Sequence, residues 1–225
     1  MLRSLRNRLA ARHLLWKSRR PYVVALDDAP LVVFPGVLDP VATKVGAWLA
    51  GVMATTVRPG EDWVDMGCGT GVVGLSMARA GARVRCVDID PTCVRNAAAN
   101  AVLQRSDATA VESDLFANIP EAPHGVVYNV PFWPGEPAGK AFGRAMYAGA
   151  GFEAIRRYRA RADAIGVSRV LVALSEAGLR HAEARAAFGP HSLLRRDRLQ
   201  GEWLVLLEAH RGPASVAIAL DAGYS

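Results

Sequence analysis

The chain has 225 residues and a net charge of +6; 51% of it is hydrophobic and 21% charged. That length holds one α/β core plus a short extension, and the composition is that of a folded globular chain rather than a disordered one. No run of about 18 apolar residues occurs, which excludes a membrane-spanning helix, and Cys68, Cys86 and Cys93 form neither a metal-spaced cluster nor an even disulfide set.

Residues 2–17 place Leu5, Leu9, Leu14 and Leu15 near one face with arginines between them, the pattern of an amphipathic helix that Pro21 ends. Seven cations lie in the first 20 residues, and without them the net charge falls from +6 to −1. The basic character is therefore local. The segment lacks the apolar centre of a secretory signal, so a cytoplasmic chain with reduced cysteines is expected. A basic patch attracts anions, and contact with nucleic acid through this helix is carried as an alternative.

Short strands are predicted at 22–26 and 31–34 around a turn at Asp27-Asp28-Ala29-Pro30, followed by a rigid loop at 34–40 and a helix over 41–53. An apolar strand at 62–66 leads through a glycine-rich turn into a helix at 72–80, which Gly81 stops. A strand at 83–87 ends at Asp88, and Pro91 opens a helix that runs to 103. Strands at 108–111 and 125–128 come next, then a Gly- and Pro-rich loop at 135–143. Residues 144–165 read as helical with a break near Gly149-Ala150-Gly151. A strand at 167–174, a helix at 179–188 and a hairpin of 192–199 with 203–209 complete the core, and 211–225 shows no clear pattern. Strands alternating with helices predict an α/β, doubly wound, mostly parallel sheet. The expected division is a basic helical extension (1–30), one domain (31–210) and a tail (211–225).

The organising stretch is Val64-Asp65-Met66-Gly67-Cys68-Gly69-Thr70-Gly71-Val72-Val73-Gly74. Glycines at 67, 69 and 71 permit positive φ and close approach of a ligand to the backbone. The helix behind them presents free N–H groups. Two nucleotide readings compete. Gly69 to Gly74 fits the dinucleotide spacing G-x-G-x-x-G, with Asp88 at about the ~20-residue distance of the ribose acid. A pyrophosphate would be repelled by a carboxylate at Asp65, however. The run D-M-G-C-G-T-G instead resembles the first motif of the class I S-adenosylmethionine-dependent methyltransferases.

The resemblance implies a Rossmann-like, seven-stranded sheet closed by an antiparallel C-terminal hairpin, with S-adenosylmethionine as cofactor. It places Asp65 and the glycines Gly67, Gly69 and Gly71 against the methionine part of that cofactor. Asp88, with its neighbour Ile89, takes the ribose, where one carboxylate can accept from two hydroxyls; Asp90 fits a helix cap as well as a ribose contact. Asp114 takes the adenine amine, with Leu115 and Phe116 as an apolar wall. No metal is expected.

Tyr128-Asn129-Val130-Pro131-Phe132-Trp133-Pro134 is similar to the N-P-P-Y/F motif of methyltransferases acting on nitrogen in planar groups, and is closest to those that modify a glutamine in release factors. Residues 147–151 resemble that group's A-x-G-G-x-D-G stretch without its acid, and residues 34–43 stand at its entry segment, with Thr43 a candidate contact. In this reading the Asn129 oxygen and the Val130 carbonyl accept two hydrogen bonds from a target N–H2, and Asn129 also borders the cofactor. Pro131, Phe132 and Trp133 line the acceptor site. Val130 departs from the usual proline, which leaves the acceptor open among a small molecule, a protein side chain and a nucleobase. Two rival functions are kept: N- or O-methylation of a small natural product, and a non-catalytic binding module on the same core.

Overall fold

The computed structural model describes residues 19–131, 149, 151–199 and 201–210; the expected helix at 2–17 and the tail at 211–225 lie outside them. Strands β1 (Tyr22–Leu26) and β2 (Ala29–Val33) form a separate antiparallel hairpin. Asp27 (φ 48°) and Asp28 (φ 63°) make its two-residue turn, a left-handed pair that matches hairpin twist and suits Asp. The turn is thus tighter than the sequence suggests, and Ala29 and Pro30 belong to β2.

The expected single helix at 41–53 is two. Helix α1 (Pro40–Thr43) is capped by Asp39, whose Oδ1 accepts from the N–H groups of Val41 (2.9 Å) and Ala42 (3.0 Å). Lys44 then turns left-handed (φ 65°) and α2 (Val45–Thr56) sets off afresh. Gly46 permits this fold-back, since a Cβ there would lie 2.9 Å from the Pro40 Cβ. Helix α6 (Glu176–Leu179) is likewise separate from α7 (Ala182–Phe188).

The main sheet holds β3 (Asp62–Met66), β4 (Arg83–Asp88), β5 (Thr109–Glu112), β6 (Gly125–Asn129), β7 (Arg169–Ser175), β8 (His191–Leu199) and β9 (Glu202–Ala209). Their order is β5-β4-β3-β6-β7-β9-β8. The first five are parallel to one another, while β9 pairs antiparallel with β7 and with β8. This is the expected seven-stranded sheet with its closing hairpin. The chain builds outward from β3 to β5 and then returns to place β6 on the other side of β3. Such a reversal opens a crevice at the carboxyl ends of the strands.

Side chains alternate across the sheet as the period of two requires. Val64, Val126, Val170, Val172 and Leu174 face one core, completed by Ile155, Tyr158 and Ala162 of α5 (Glu153–Ile165) and by α7. Trp63, Val84, Cys86, Val127 and Leu171 face the other, under α2, α3 (Val72–Arg79) and α4 (Pro91–Leu103). No helix among the described residues is long and apolar enough to cross a membrane.

Candidate active site

A cavity of about 600 Å³ opens at the carboxyl ends of β3, β4 and β6 and beside the loop after β5. Asp65, Gly67, Gly69, Asp88, Ile89, Asp114, Leu115, Asn129 and Pro131 line it, so most of the residues singled out from the sequence meet in one place. Gly71 does not line it. Its φ is +80° and a Cβ there would stand 3.0 Å from the Ala97 Cβ, so this glycine lets the turn pack against α4.

Asp65 is buried (3% exposed), and its Oδ2 accepts from the Gly74 N–H at 2.9 Å. Burial pushes its carboxyl up to about 7; the Gly74 N–H pulls the other way, and the nearby Asp88 adds to the rise. Asp88 splits its two oxygens between the turn and the next helix. Oδ2 accepts from the Gly69 N–H (3.0 Å) and Oδ1 from the Asp90 N–H (2.9 Å). Burial raises its pKa too, against those backbone donors. The Cys93 side chain also hydrogen-bonds this carboxylate, which leaves it room for one further donor. Asp90 takes the cap role, its Oδ1 accepting from the Thr92 N–H at 2.8 Å at the start of α4.

Asp114 stands half-exposed at the rim, 2.5 Å from Nη2 of Arg157 on α5. Leu115 adopts a left-handed backbone (φ 53°) and faces the cavity. Phe116 does not join it as a wall. It is 5% exposed and stacks on Tyr158 in the core, with centroids 6.2 Å apart.

Asn129 ends β6 opposite Ala173 of β7 and points its half-buried side chain at the cavity. No hydrogen bond from another described residue occupies its carboxamide. Val130 donates its N–H to the Ala173 carbonyl (3.2 Å), and its side chain is 1% exposed in the core. The change from proline at 130 therefore alters core packing and leaves the cavity wall to Pro131. Phe132 and Trp133 lie outside the described residues.

Two groups were missed from the sequence: Tyr128, and Glu153 with Arg157. Tyr128 lines the cavity, and its ring sits where a Gly67 side chain would go, 2.6 Å from a Cβ built there. Gly36, Val37, Leu38, Pro40 and Thr43 close one side, within the entry segment 34–43 expected beside the cofactor. Glu153 and Arg157 come from α5. Five carboxylates (Asp65, Asp88, Asp90, Asp114 and Glu153) face a single basic side chain, Arg157, among the described lining residues. Such a wall attracts cationic groups and repels a pyrophosphate.

Residues 45–153, which carry α2, the glycine turn and all four strand ends at the cavity, match the family model of the methyltransferase small domain. That likeness covers a little under half of the chain. A Methanocaldococcus jannaschii protein, named for the N5-glutamine methyltransferases of proteins, is 35% identical over 75 residues; the match covers 33% of this chain and 38% of that relative. The chain thus spans little more than a third of that relative's length. Two solved structures share the methyltransferase fold. The Thermus thermophilus 16S rRNA N2 G1207 methyltransferase, in complex with S-adenosylmethionine and guanosine, superposes with a TM-score of 0.59 at 18% identity, covering 85% of this chain and 50% of its own. The E. cuniculi Mtq2–Trm112 complex, responsible for the methylation of the eRF1 translation termination factor, gives a TM-score of 0.57 at 19% identity, covering 75% of this chain and 96% of its own.

Proposed function

We propose that the chain is an S-adenosylmethionine-dependent methyltransferase that acts on the nitrogen of a planar amide or amine. The observation that supports it best is one acidic cavity with Asp65, Asp88, Asp114 and Asn129 on its walls. The cofactor fits that wall by charge, because its sulfonium and ammonium are cationic. It also fits by shape: Gly69 carries a positive φ and leaves open the space a side chain would take, while Gly67 makes room for the Tyr128 ring that lines the cavity. In this reading Asp65 and the turn hold the methionine part, Asp88 and Ile89 the ribose, and Asp114 and Leu115 the adenine.

When bound, S-adenosylmethionine supplies an electrophilic methyl group. The residues supply position. The Asn129 oxygen and the Val130 carbonyl accept from the two N–H bonds of the target, which orients the nitrogen lone pair. Holding reactants in line is worth ~7–11 kcal/mol of barrier. No strong base is required, since the nitrogen sheds its proton after it has become cationic. Pro131, Phe132 and Trp133 are assigned to the acceptor side. The N5-glutamine and guanine N2 targets in the names of the compared proteins both present such an N–H2 group.

Incubation with methyl-labelled S-adenosylmethionine and two acceptor sets, glutamine peptides and guanosine-bearing oligoribonucleotides, tests the proposal. Label recovered as an N-methyl amide or N-methyl amine supports it. Label only in methyl esters or ethers excludes nitrogen as the acceptor atom.

A further inference from the structure

Helix α4 carries Asn96 and Asn100 at a spacing of four, hence on one face, and Gln104 follows four residues on as its C-cap. That face meets β2 of the N-terminal hairpin. Asn96 accepts from the Phe34 N–H (2.8 Å) and donates to the Val32 carbonyl (2.7 Å). Asn100 accepts from the Val32 N–H (2.7 Å) and donates to the same carbonyl (2.8 Å). Gln104 donates to the Pro30 carbonyl (2.9 Å). The helix thereby satisfies with side chains the strand edge that β1 leaves open.

Asn100 does one thing more. Its amide also donates to the carbonyl of Thr70, in the middle of the glycine turn, at 2.9 Å. Asn96 and Asn100 are both fully buried. A single carboxamide therefore ties β2 to the turn from one rigid helix. The hairpin leads directly into the segment 34–40, which closes the cavity from the other side. There Val37 packs with Val33 and with Cys93 of α4, and Val37 Cγ1 lies 3.9 Å from where a Gly69 Cβ would be. The two walls face each other, and both are fastened to α4. Tyr22 of β1 adds a tether by donating to Asp39, the α1 cap, at 3.0 Å.

We propose that Asn100 is a positioning residue that couples the hairpin and segment 34–40 to the glycine turn, so that the two walls close on the cofactor as one unit. This rests on the cofactor assignment above. Asn100 touches neither cofactor nor acceptor; it acts by fixing the Thr70 carbonyl and the Val32 peptide relative to each other. Asn96 holds the same strand but has no bond to the turn, which makes it the internal control.

Hydrogen exchange and calorimetry with S-adenosylhomocysteine on the full chain test the coupling. In the wild type, the ligand should slow amide exchange across 31–38 as well as across 67–71. Asn100→Ser should weaken ligand affinity by about tenfold and confine the slowing to 67–71, whereas Asn96→Ser should weaken affinity by less than about threefold at a similar loss of melting temperature. Equal effects of the two variants, or a wild type that binds the ligand without slowing 31–38, would overturn the coupling alone. The wild-type exchange decides the matter even where a variant fails to fold. A wild type that binds no ligand would overturn the cofactor assignment together with it.

Discussion

Asp65 at the end of β3 and Gly74 in the first turn of α3 are joined at 2.9 Å, carboxylate to backbone N–H, across the whole glycine turn. The bond spans the ends of the stretch around which the sequence is organised. It also explains the third glycine of the dinucleotide-like spacing. A Cβ at 74 would collide with the Cys86 Sγ and stand 3.3 Å from the Asp65 Cβ.

Gly74→Ala should therefore destabilise the fold by about 2 kcal/mol through overpacking, a loss of roughly 4–8 °C in melting temperature for a chain of this size. Thermal unfolding followed by circular dichroism checks it. An unchanged transition would mean that α3 shifts off the sheet without cost.

The burial of Asp65 gives a pH dependence with a definite sign. Its pKa rises from 3.8 unfolded to about 7 folded. Between those values the folded chain holds a proton that the unfolded chain has released. This group therefore adds stability to the ligand-free protein as pH falls through that window, and its contribution is gone above about 7. A cationic ligand favours the ionised carboxylate. Affinity for S-adenosylmethionine should accordingly weaken below pH 7, by at most about tenfold per unit. Calorimetry across that range measures it, and Asp65→Asn should flatten the dependence.

Gly67→Ala combines a left-handed backbone (φ 64°) with a Cβ 2.6 Å from the Tyr128 ring. Ligand affinity should fall by more than about tenfold, since the turn must move to relieve the overlap. Gly60→Ala is the control: its φ is also positive (82°) but nothing lies within 4 Å. It should cost about 1–2 kcal/mol of stability and leave ligand affinity unchanged.

Asn129→Ala should lower the methyl-transfer rate by about a hundredfold or more, because the acceptor loses its alignment. Affinity for S-adenosylhomocysteine should remain within about threefold of the wild type, which separates lost positioning from lost binding.

Much of this was legible in the sequence because it rests on local rules. Strand 62–66 ends where its apolar run meets glycine, and Asp90 caps α4 because Pro91 suits the first turn. Strand ends of a doubly wound sheet converge by topology, so Asp65, Asp88, Asp114 and Asn129 were readable as one site without coordinates. What escaped depends on contacts distant in the chain. The left-handed Lys44 that divides α1 from α2 follows from the packing of Gly46 on Pro40. Phe116 sits beside a site residue in sequence, yet Tyr158, 42 positions on, draws it into the core. Asn96 and Asn100 were not singled out in the sequence. Their partners, Val32 and Thr70, lie 68 and 30 residues away from Asn100. The signal was their i, i+4 spacing amid small apolar residues, which marks a buried polar stripe in need of partners.

The central claim, an acidic cavity built for a sulfonium nucleoside, is tested most directly by thermal shift with S-adenosylmethionine, S-adenosylhomocysteine and NAD side by side. At about a hundred times its dissociation constant a ligand adds about 2.7 kcal/mol to the folded state. The account predicts that both S-adenosyl compounds raise the melting temperature and NAD does not. Stabilisation by NAD alone would contradict it.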